Sequence, residues 1–219
     1  KAMQFTRPNP WMKPFIPDEF VKSNDTLYCL SQEGRGSATP IVTALTVAVT
    51  EAAVQWAKKC PGGRLRTPML IELDEAANVC RWNELPDMYS HFGSRGINVD
   101  TVFQSWSQGV ARWGDAGMKK LWGAANVAIY GGGGREDSFL SMLSKIIGVY
   151  WQDSKQTSRS KHGTSRSVSA QSQQRSIATI ADLQSLHPER MWVFASGSEP
   201  VLAEKVPYWK NKNVTSIQG

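Results

Sequence analysis

The sequence has little of what marks several common protein classes. It contains three histidines and three cysteines, and Cys29, Cys60 and Cys80 form no CxxC pair and no Cys/His ligand spacing. We therefore expect neither a disulfide framework nor a zinc site, and a reducing compartment fits this cysteine usage best. No secretory signal pattern opens the chain, and its start at Lys1 rather than Met indicates a piece of a longer protein.

Long apolar runs are also lacking. The most apolar stretch, residues 41–57, includes Thr43, Thr46, Thr50, Glu51 and Gln55, and is too short and too polar for a bilayer span. We expect a buried amphipathic helix there, so that any membrane anchor lies outside this chain. The composition, with 41% apolar and 20% charged residues, is typical of a folded soluble protein of one or two domains.

Predicted strands and helices alternate through the middle of the chain. The strands are residues 67–73, 97–103 and 126–130, and the helices are about 39–59, with Thr39 as N-cap, 84–93, 107–124 and 135–147. Further strands are predicted at 25–30, 149–151, 191–195 and 201–208. The alternation favours an α/β fold with a mainly parallel sheet flanked by helices, followed by a strand-rich C-terminal part.

The strand at residues 67–73 ends in the most informative motif. An apolar strand followed by Asp74-Glu75 is the Walker B pattern, and open α/β sheets place their sites at this carboxyl edge. There Asp74 can hold Mg²⁺ through water, and Glu75 can orient or deprotonate an attacking water. Alternatively, Asp74 merely caps the next helix. The motif alone does not decide between these interpretations.

Gln104 ends the next predicted strand and should lie at the same sheet edge as Asp74. A glutamine there can contact a γ-phosphate or the attacking water. Taken alone it is an ordinary polar strand-end residue, but its pairing with Asp74-Glu75 favours a function. Glu72 lies on the same strand face as Asp74, and a carboxylate inside a central strand is costly unless paired. Either a cation meets Glu72 or this part of the sheet is open.

Three strings in a fixed order and spacing resemble one known family. They are Leu73-Asp-Glu-Ala-Ala-Asn-Val79, Gly93-Ser-Arg-Gly-Ile97 and Gln104-Ser-Trp-Ser-Gln108. Together with the segment 175–186 and Gly197-Ser-Glu-Pro200, they resemble the TraG/TraD type of coupling protein of type IV secretion systems over roughly residues 25–209. The resemblance implies the C-terminal part of a RecA-like (P-loop NTPase) motor. It also implies a hexameric, membrane-anchored ATPase with a cytoplasmic motor, which uses ATP and Mg²⁺ and brings relaxase-bound DNA to the channel proteins of a conjugation system.

The resemblance also implies roles for individual residues. Asp74 would serve Mg²⁺, Glu75 the attacking water, and Gln104 would sense the γ-phosphate. Arg95 would act as an arginine finger in a neighbouring subunit's site, with a solvated arginine before a turn glycine as the alternative. No GxxxxGK[ST] string occurs anywhere in the sequence, so the Walker A half is absent and is expected upstream. We therefore expect that this chain alone does not hydrolyse ATP.

The predicted domain division is a Pro-rich connector, residues 1–24, the motor portion, residues 25–210, and a tail, residues 211–219. Within the motor portion lies a Ser-rich segment, residues 154–176, predicted as a mobile loop or a long hairpin tip. It contributes to the net charge of +6 through Lys155, Arg159, Lys161, Arg166 and Arg175. These residues are predicted to contact DNA phosphates without reading sequence. The alternative is a solvated surface loop, and the lack of aromatic residues disfavours a base-stacking platform.

Two other interpretations of the whole chain remain open. The first is a non-catalytic docking module that recognises the relaxosome or accessory proteins. The second is a free-standing α/β fold with an incidental Asp-Glu pair. A Walker A motif upstream in the full gene product would favour the motor, whereas its absence there would favour the docking module.

Overall fold

The computed structural model describes residues 11, 13–31, 38–159 and 166–210, with the backbone alone for 154–159 and 166–171. Within it the chain divides into two compact units, residues 1–125 and residues 126–219. Each unit has its own sheet and its own buried side chains. The functional residues expected at the strand ends all belong to the first unit.

The first unit contains five α-helices and two strands among its described residues. In chain order these are α1 (Pro17–Phe20), α2 (Thr39–Lys59), β1 (Met69–Leu73), α3 (Ala76–Val79), α4 (Leu85–Arg95), β2 (Ile97–Thr101) and α5 (Trp106–Ala124). Helix α2 has the predicted bounds, because Pro40 fits its first turn and Pro61 begins the turn that follows it. One prediction at its start is wrong: Ala38 is the N-cap and Thr39 is already helical.

Strands β1 and β2 pair in parallel, from Met69 opposite Ile97 to Leu73 opposite Thr101. One face of this pair is buried under the helices. The core between the strands and the helices includes Ala53, Ala57, Ile71, Leu73, Leu85, Phe92, Ile97, Met118 and Leu121. The other face is exposed at Leu70, Glu72, Asn98 and Asp100. Parallel strands are usually covered on both faces, so this unit presents an unusually open sheet face.

Helix α2 is the one helix of the described residues with the length and hydropathy of a membrane span. Ala53 and Ala57 are fully buried in the core of the first unit, and Val54 and Trp56 pack against that core. Helix α2 therefore packs one side against the core of the first unit, and seven of its 21 residues are buried.

The second unit contains β3 (Val127–Tyr130), α6 (Asp137–Ile147), β4 (Val149–Arg159), β5 (Arg166–Ser176), α7 (Ile180–Gln184), β6 (Arg190–Ala195) and β7 (Val201–Glu204). Its three-stranded sheet has the order β3-β6-β7 and is antiparallel throughout. The buried side chains of this unit include Tyr130, Leu140, Leu143, Leu183 and Trp192. Tyr130 donates a hydrogen bond to the Leu183 carbonyl at 3.1 Å, which ties β3 to α7.

The structure confirms a mixed α/β fold but differs from the sequence prediction in its pairing. Among the described residues, β1 and β2 are the parallel pair, and the other pairings are antiparallel. The predicted strand at residues 25–30 is not formed, and the predicted strand at 201–208 ends at residue 204. Apolar runs predict that a strand exists, but they do not specify the direction of the strand beside it.

A mobile loop and a hairpin were the two structures predicted for the Ser-rich segment. The described residues on either side of 160–165 pair as a hairpin. Strands β4 and β5 pair antiparallel from Val149 opposite Ser176 to Arg159 opposite Arg166. Eleven residues at about 3.4 Å each make a ribbon of roughly 37 Å. Lys161 and its neighbours at 160–165 lie outside the described residues.

Candidate functional site

The turn after β1 is held by the backbone that continues β2. The Val102 N–H donates to the Leu73 carbonyl at 3.0 Å, and the Ala76 N–H donates to the Val102 carbonyl at 3.1 Å. These two bonds clamp Asp74 and Glu75 beside the end of the neighbouring strand. The local geometry therefore brings the carboxyl ends of both parallel strands to one place, the usual position of a site in an open α/β sheet.

Glu75 adopts a backbone conformation that is unusual for its residue type. Its φ of 50° and ψ of 47° lie in the left-handed region, and of the described residues it is the one non-glycine with positive φ. Such a conformation costs about 1–2 kcal/mol for a residue with a Cβ. The Glu75 carbonyl accepts bonds from the Asn78 and Val79 N–H groups, at 2.8 and 3.0 Å, which begin α3. Strain of this kind is typical of residues held in place for function.

Asp74 is exposed beside this turn, and it does not cap the next helix. The N-cap of α3 is Glu75, and that position makes no side-chain cap bond. The simpler interpretation of Asp74, a helix cap, is therefore not what the structure contains. An exposed carboxylate at a strand end is free to meet a hydrated cation, and oxygen ligands with retained waters suit Mg²⁺.

Glu75 and Gln104 are in direct contact. The Gln104 amide Nε2 donates a short hydrogen bond to Glu75 Oε1. Gln108 extends the contact, because its Nε2 donates to Gln104 Oε1 at 3.4 Å. The three side chains form a relay from the first turn of α5 to the end of β1. The sequence placed Glu75 and Gln104 at one sheet edge, but it assigned no contact to Gln108. The available signal was its position four residues after Gln104 in Gln104-Ser-Trp-Ser-Gln108.

Arg95 lies at the opposite edge of the strand pair. It ends α4 just before β2 begins, whereas Gln104 follows the far end of β2. Five residues of strand separate the two edges by roughly 16 Å. Arg95 Nη1 donates to the Gly63 carbonyl at 3.2 Å. The structure therefore does not bring Arg95 to the Glu75 site of the same chain, and a role in a neighbouring subunit stays a prediction.

Glu72 is exposed on the open face of the strand pair, where its partner in register is Asp100. Of the two predicted alternatives, an open sheet is therefore the one found. The described part of the chain holds no group of three or more His, Cys, Asp or Glu side chains suited to a metal ion. Any Mg²⁺ at Asp74 would need most of its ligands from water and phosphate oxygens, as this ion commonly does.

Comparison with known proteins identifies the family. A family profile described as the TraM recognition site of TraD and TraG matches residues 68–188, which is more than half of the chain. The chain belongs to the TraG/TraD family. Its match begins one residue before β1 and takes in the whole Glu75, Gln104 and Gln108 relay. A search of curated proteins finds no significant match.

Solved structures of a conjugative coupling protein share the fold of this TraG/TraD family member. The unbound monoclinic form of TrwBdeltaN70 matches with a TM-score of 0.56 and 16% identity, covering 77% of this chain and 38% of that one. TrwB in complex with the ATP analogue ADPNP matches with a TM-score of 0.53 and 15% identity, covering 76% and 37%. TrwB with ADP and Mg²⁺ matches with a TM-score of 0.52 and 16% identity, over the same shares. The chain spans less than two fifths of the length of these structures.

The glycine run after β3 differs from a phosphate-binding loop in this family member. The Gly131 carbonyl accepts a bond from Lys205 Nζ at 2.6 Å, and the Gly134 N–H donates to the Tyr130 hydroxyl at 3.2 Å. A phosphate cradle needs free backbone N–H groups with a lysine in the loop itself. The glycine run thus does not fit a phosphate cradle.

The four predicted DNA-binding residues that the structure describes divide between the two faces of the β4–β5 ribbon. Residues two apart on a strand share a face, so the register places Lys155, Arg159 and Arg166 on one face. Arg159 and Arg166 are directly opposite each other. Arg175, which is exposed, is opposite Tyr150 on the other face. These four residues therefore do not form one surface, and DNA contact by them or by Lys161 stays a prediction.

Three ionisable groups elsewhere in the first unit, two of them half-buried and one buried, have raised pKa values. Burial raises the pKa of the Cys29 and Cys80 thiols, so both are protonated at neutral pH and poorly nucleophilic. Burial also raises the pKa of Tyr89, whose hydroxyl donates to the Val99 carbonyl at 2.7 Å and fastens α4 to β2. Tyr89 therefore holds α4 against β2, and we do not assign any of the three groups to the chemistry.

Proposed function

We propose that this chain supplies the water-activating and sensing half of the ATP site in a conjugative coupling protein. The observation that supports this most strongly is the contact of Gln104 with Glu75 at the carboxyl edge of the parallel strands. Glu75 would orient or deprotonate the attacking water, and Gln104 would sense the γ-phosphate. Asp74, exposed beside them, would hold Mg²⁺ through water.

The phosphate cradle would come from a part of the protein outside this chain. The sequence has no Walker A string, and this chain spans 38% of the TrwB structure that it resembles. We propose that β1 and β2 belong to a mainly parallel, RecA-like sheet completed by that other part, which would also cover the open face at Glu72. The TrwB complexes with ADPNP and with ADP and Mg²⁺ support a nucleotide as the ligand of this fold.

In the whole protein, ATP hydrolysis would move DNA with its relaxase into the channel of a type IV secretion system. The motor would be a cytoplasmic domain, anchored to the membrane by a segment outside this chain, and would work as a hexamer. Arg95 would then act in the neighbouring subunit's site, where it would stabilise developing phosphate charge. Lys155, Arg159, Lys161, Arg166 and Arg175 would contact the DNA backbone.

The family description favours a second candidate function. The matching profile is named for recognition of TraM, and its match spans the whole sheet edge of the first unit. We therefore also propose a docking module for a TraM-like accessory protein of the relaxosome. A Walker A motif in the full gene product together with hydrolysis favours the motor. Saturable binding of such an accessory protein by this chain, in a product without a Walker A motif, favours docking alone.

The test of the motor is Glu75→Gln in the full-length protein. This change keeps the size of the side chain and removes the base, so hydrolysis should stop while nucleotide affinity stays. Glu51→Gln, an equal change at an exposed position of α2, is the matched control and should alter neither quantity. Equal losses of affinity and turnover in Glu75→Gln would contradict the role of Glu75, as would unimpaired hydrolysis. The chain alone should show no hydrolysis, because it lacks the phosphate loop.

A further inference from the structure

Gln108 occupies the first turn of α5 with both its backbone and its side chain engaged. Its N–H donates to the hydroxyl of the N-cap residue Ser105 at 3.3 Å. Its side-chain Nε2 donates to Gln104 Oε1 at 3.4 Å. We propose that Gln108 is a positioning residue, which sets the direction of the Gln104 amide and through it the position of the Glu75 carboxylate. This inference rests on the nucleotide site proposed above.

The polarity of the relay follows from the groups themselves. An ionised carboxylate accepts hydrogen bonds and donates none, so Gln104 must present its NH₂ group to Glu75. The Gln104 carbonyl oxygen then points the other way and can accept a bond. The NH₂ group of Gln108 donates that bond. If the Gln104 amide turned over, its oxygen would face the Glu75 oxygen and repel it.

The alternative to a positioning role is a purely structural one, in which Gln108 caps the N-terminus of α5. The hydrogen bonds of Gln108 distinguish the two roles. Ser105-x-x-Gln108 has the spacing of a capping box, in which the fourth side chain accepts a bond from the N-cap N–H. Such a box is complete in α7, where Thr179 and Asp182 make both bonds. In α5 the Ser105 hydroxyl accepts from the Gln108 N–H, but the Gln108 side chain donates to Gln104 instead. Its polar group thus serves the relay rather than the cap.

This difference allows two opposite substitutions at one position. Gln108→Glu keeps a side chain that suits a helix N-terminus and a capping box, but a carboxylate cannot donate to Gln104 Oε1. Gln108→Lys loses the capping acceptor but keeps a donor. A structural role predicts that the lysine variant is the damaged one. A positioning role predicts that the glutamate variant is.

The experiment measures ATP turnover and nucleotide affinity in the full-length protein for both variants, with Glu75→Gln as reference. Gln108→Glu should unfold at a denaturant concentration no lower than wild type. Its kcat should fall by about 10- to 100-fold with nucleotide affinity unchanged, because the base is displaced from its working position. Gln108→Lys should retain most of the wild-type kcat. An unchanged kcat in Gln108→Glu, or an equal loss in both variants, would overturn the inference.

A second measurement needs no nucleotide and uses the 219-residue chain. The side-chain NH₂ resonances of Gln104 in ¹⁵N-edited NMR spectra should move in Glu75→Gln and in Gln108→Glu, because each change alters one hydrogen-bond partner of the Gln104 amide. Unmoved resonances in Gln108→Glu would refute the relay. Full turnover by Glu75→Gln would instead refute the proposed function itself. Loss of turnover in Glu75→Gln with full turnover in Gln108→Glu would overturn only the role of Gln108.

Discussion

Replacing Glu75 by glycine should stabilise the first unit relative to replacing it by alanine. Both changes remove the carboxylate and its bond from Gln104, so that loss cancels in the comparison. They differ in the Cβ, which costs about 1–2 kcal/mol at the left-handed φ of 50°. The greater freedom of glycine in the unfolded chain offsets roughly 0.4–1 kcal/mol of that gain. The net expectation is that Glu75→Gly is more stable than Glu75→Ala by about 1 kcal/mol.

Glu84 provides the control, because it is also a helix N-cap in the first unit without a side-chain cap bond. Its φ is −83°, so its Cβ carries no left-handed cost. Glycine tends to be better than alanine at any N-cap, and the Glu84 pair measures that general preference. The glycine-over-alanine advantage at position 75 should exceed that at position 84 by about 1–2 kcal/mol.

Urea unfolding, followed by tryptophan fluorescence and circular dichroism, gives the four free energies. Trp82, Trp106 and Trp113 lie in or against the core of the first unit and report on it. Equal glycine-over-alanine differences at positions 75 and 84 would refute the reasoning, because Glu75 would then not be held in the left-handed region. The expected result would show that this position sacrifices stability for the placement of a carboxylate, a common trade at functional sites.

Two further predictions concern the second unit. If the β4–β5 ribbon contacts DNA, replacing Lys155, Arg159 and Arg166 by serine should lower the slope of log affinity against log salt by roughly 0.7–0.9 per lost phosphate contact, without changing sequence preference. Arg175→Ser, on the other face, tests whether one face is sufficient, and an unchanged slope in the triple variant would favour a solvated ribbon. Hydrogen bonds from the Thr179 hydroxyl and N–H hold the pKa of Asp182 below its usual range. The ionised Asp182 carboxylate therefore stabilises the folded state at pH values above its pKa in the unfolded chain. This stabilisation is lost as the pH falls through the pKa of Asp182 in the folded state. Acid titration of unfolding should therefore show a loss of stability below about pH 4 that is smaller in Asp182→Asn, and identical acid profiles would contradict it.

Much of the local structure could be predicted from short stretches of sequence. Helix α2 begins and ends where Pro40 and Pro61 indicated, and α5 begins after a serine N-cap. The strand before Asp74-Glu75 was visible as an apolar run. The family of the protein followed from the order of its motifs. These features depend on residues within a few positions of one another, and propensity and capping act over that range.

The errors arose where distant segments decide the outcome. Residues 25–30 have a strand-like composition but no neighbouring strand to pair with in the described part of the chain. The pairing of β3 with β6 joins residues more than sixty positions apart, and no local pattern specifies its antiparallel direction. A strand is stabilised by its partners and its burial, so composition alone cannot establish either.

The sequence by itself determined the chemical groups of the candidate site and their order along the chain. Only the tertiary structure decided which of them meet. The Val102 backbone clamps the turn, Glu75 takes a left-handed conformation, and its carboxylate meets the Gln104 amide, while Arg95 lies at the far edge. Hydrogen bonds act over about 3 Å, and positions 29 residues apart reach that distance only when two strands pair in one particular register.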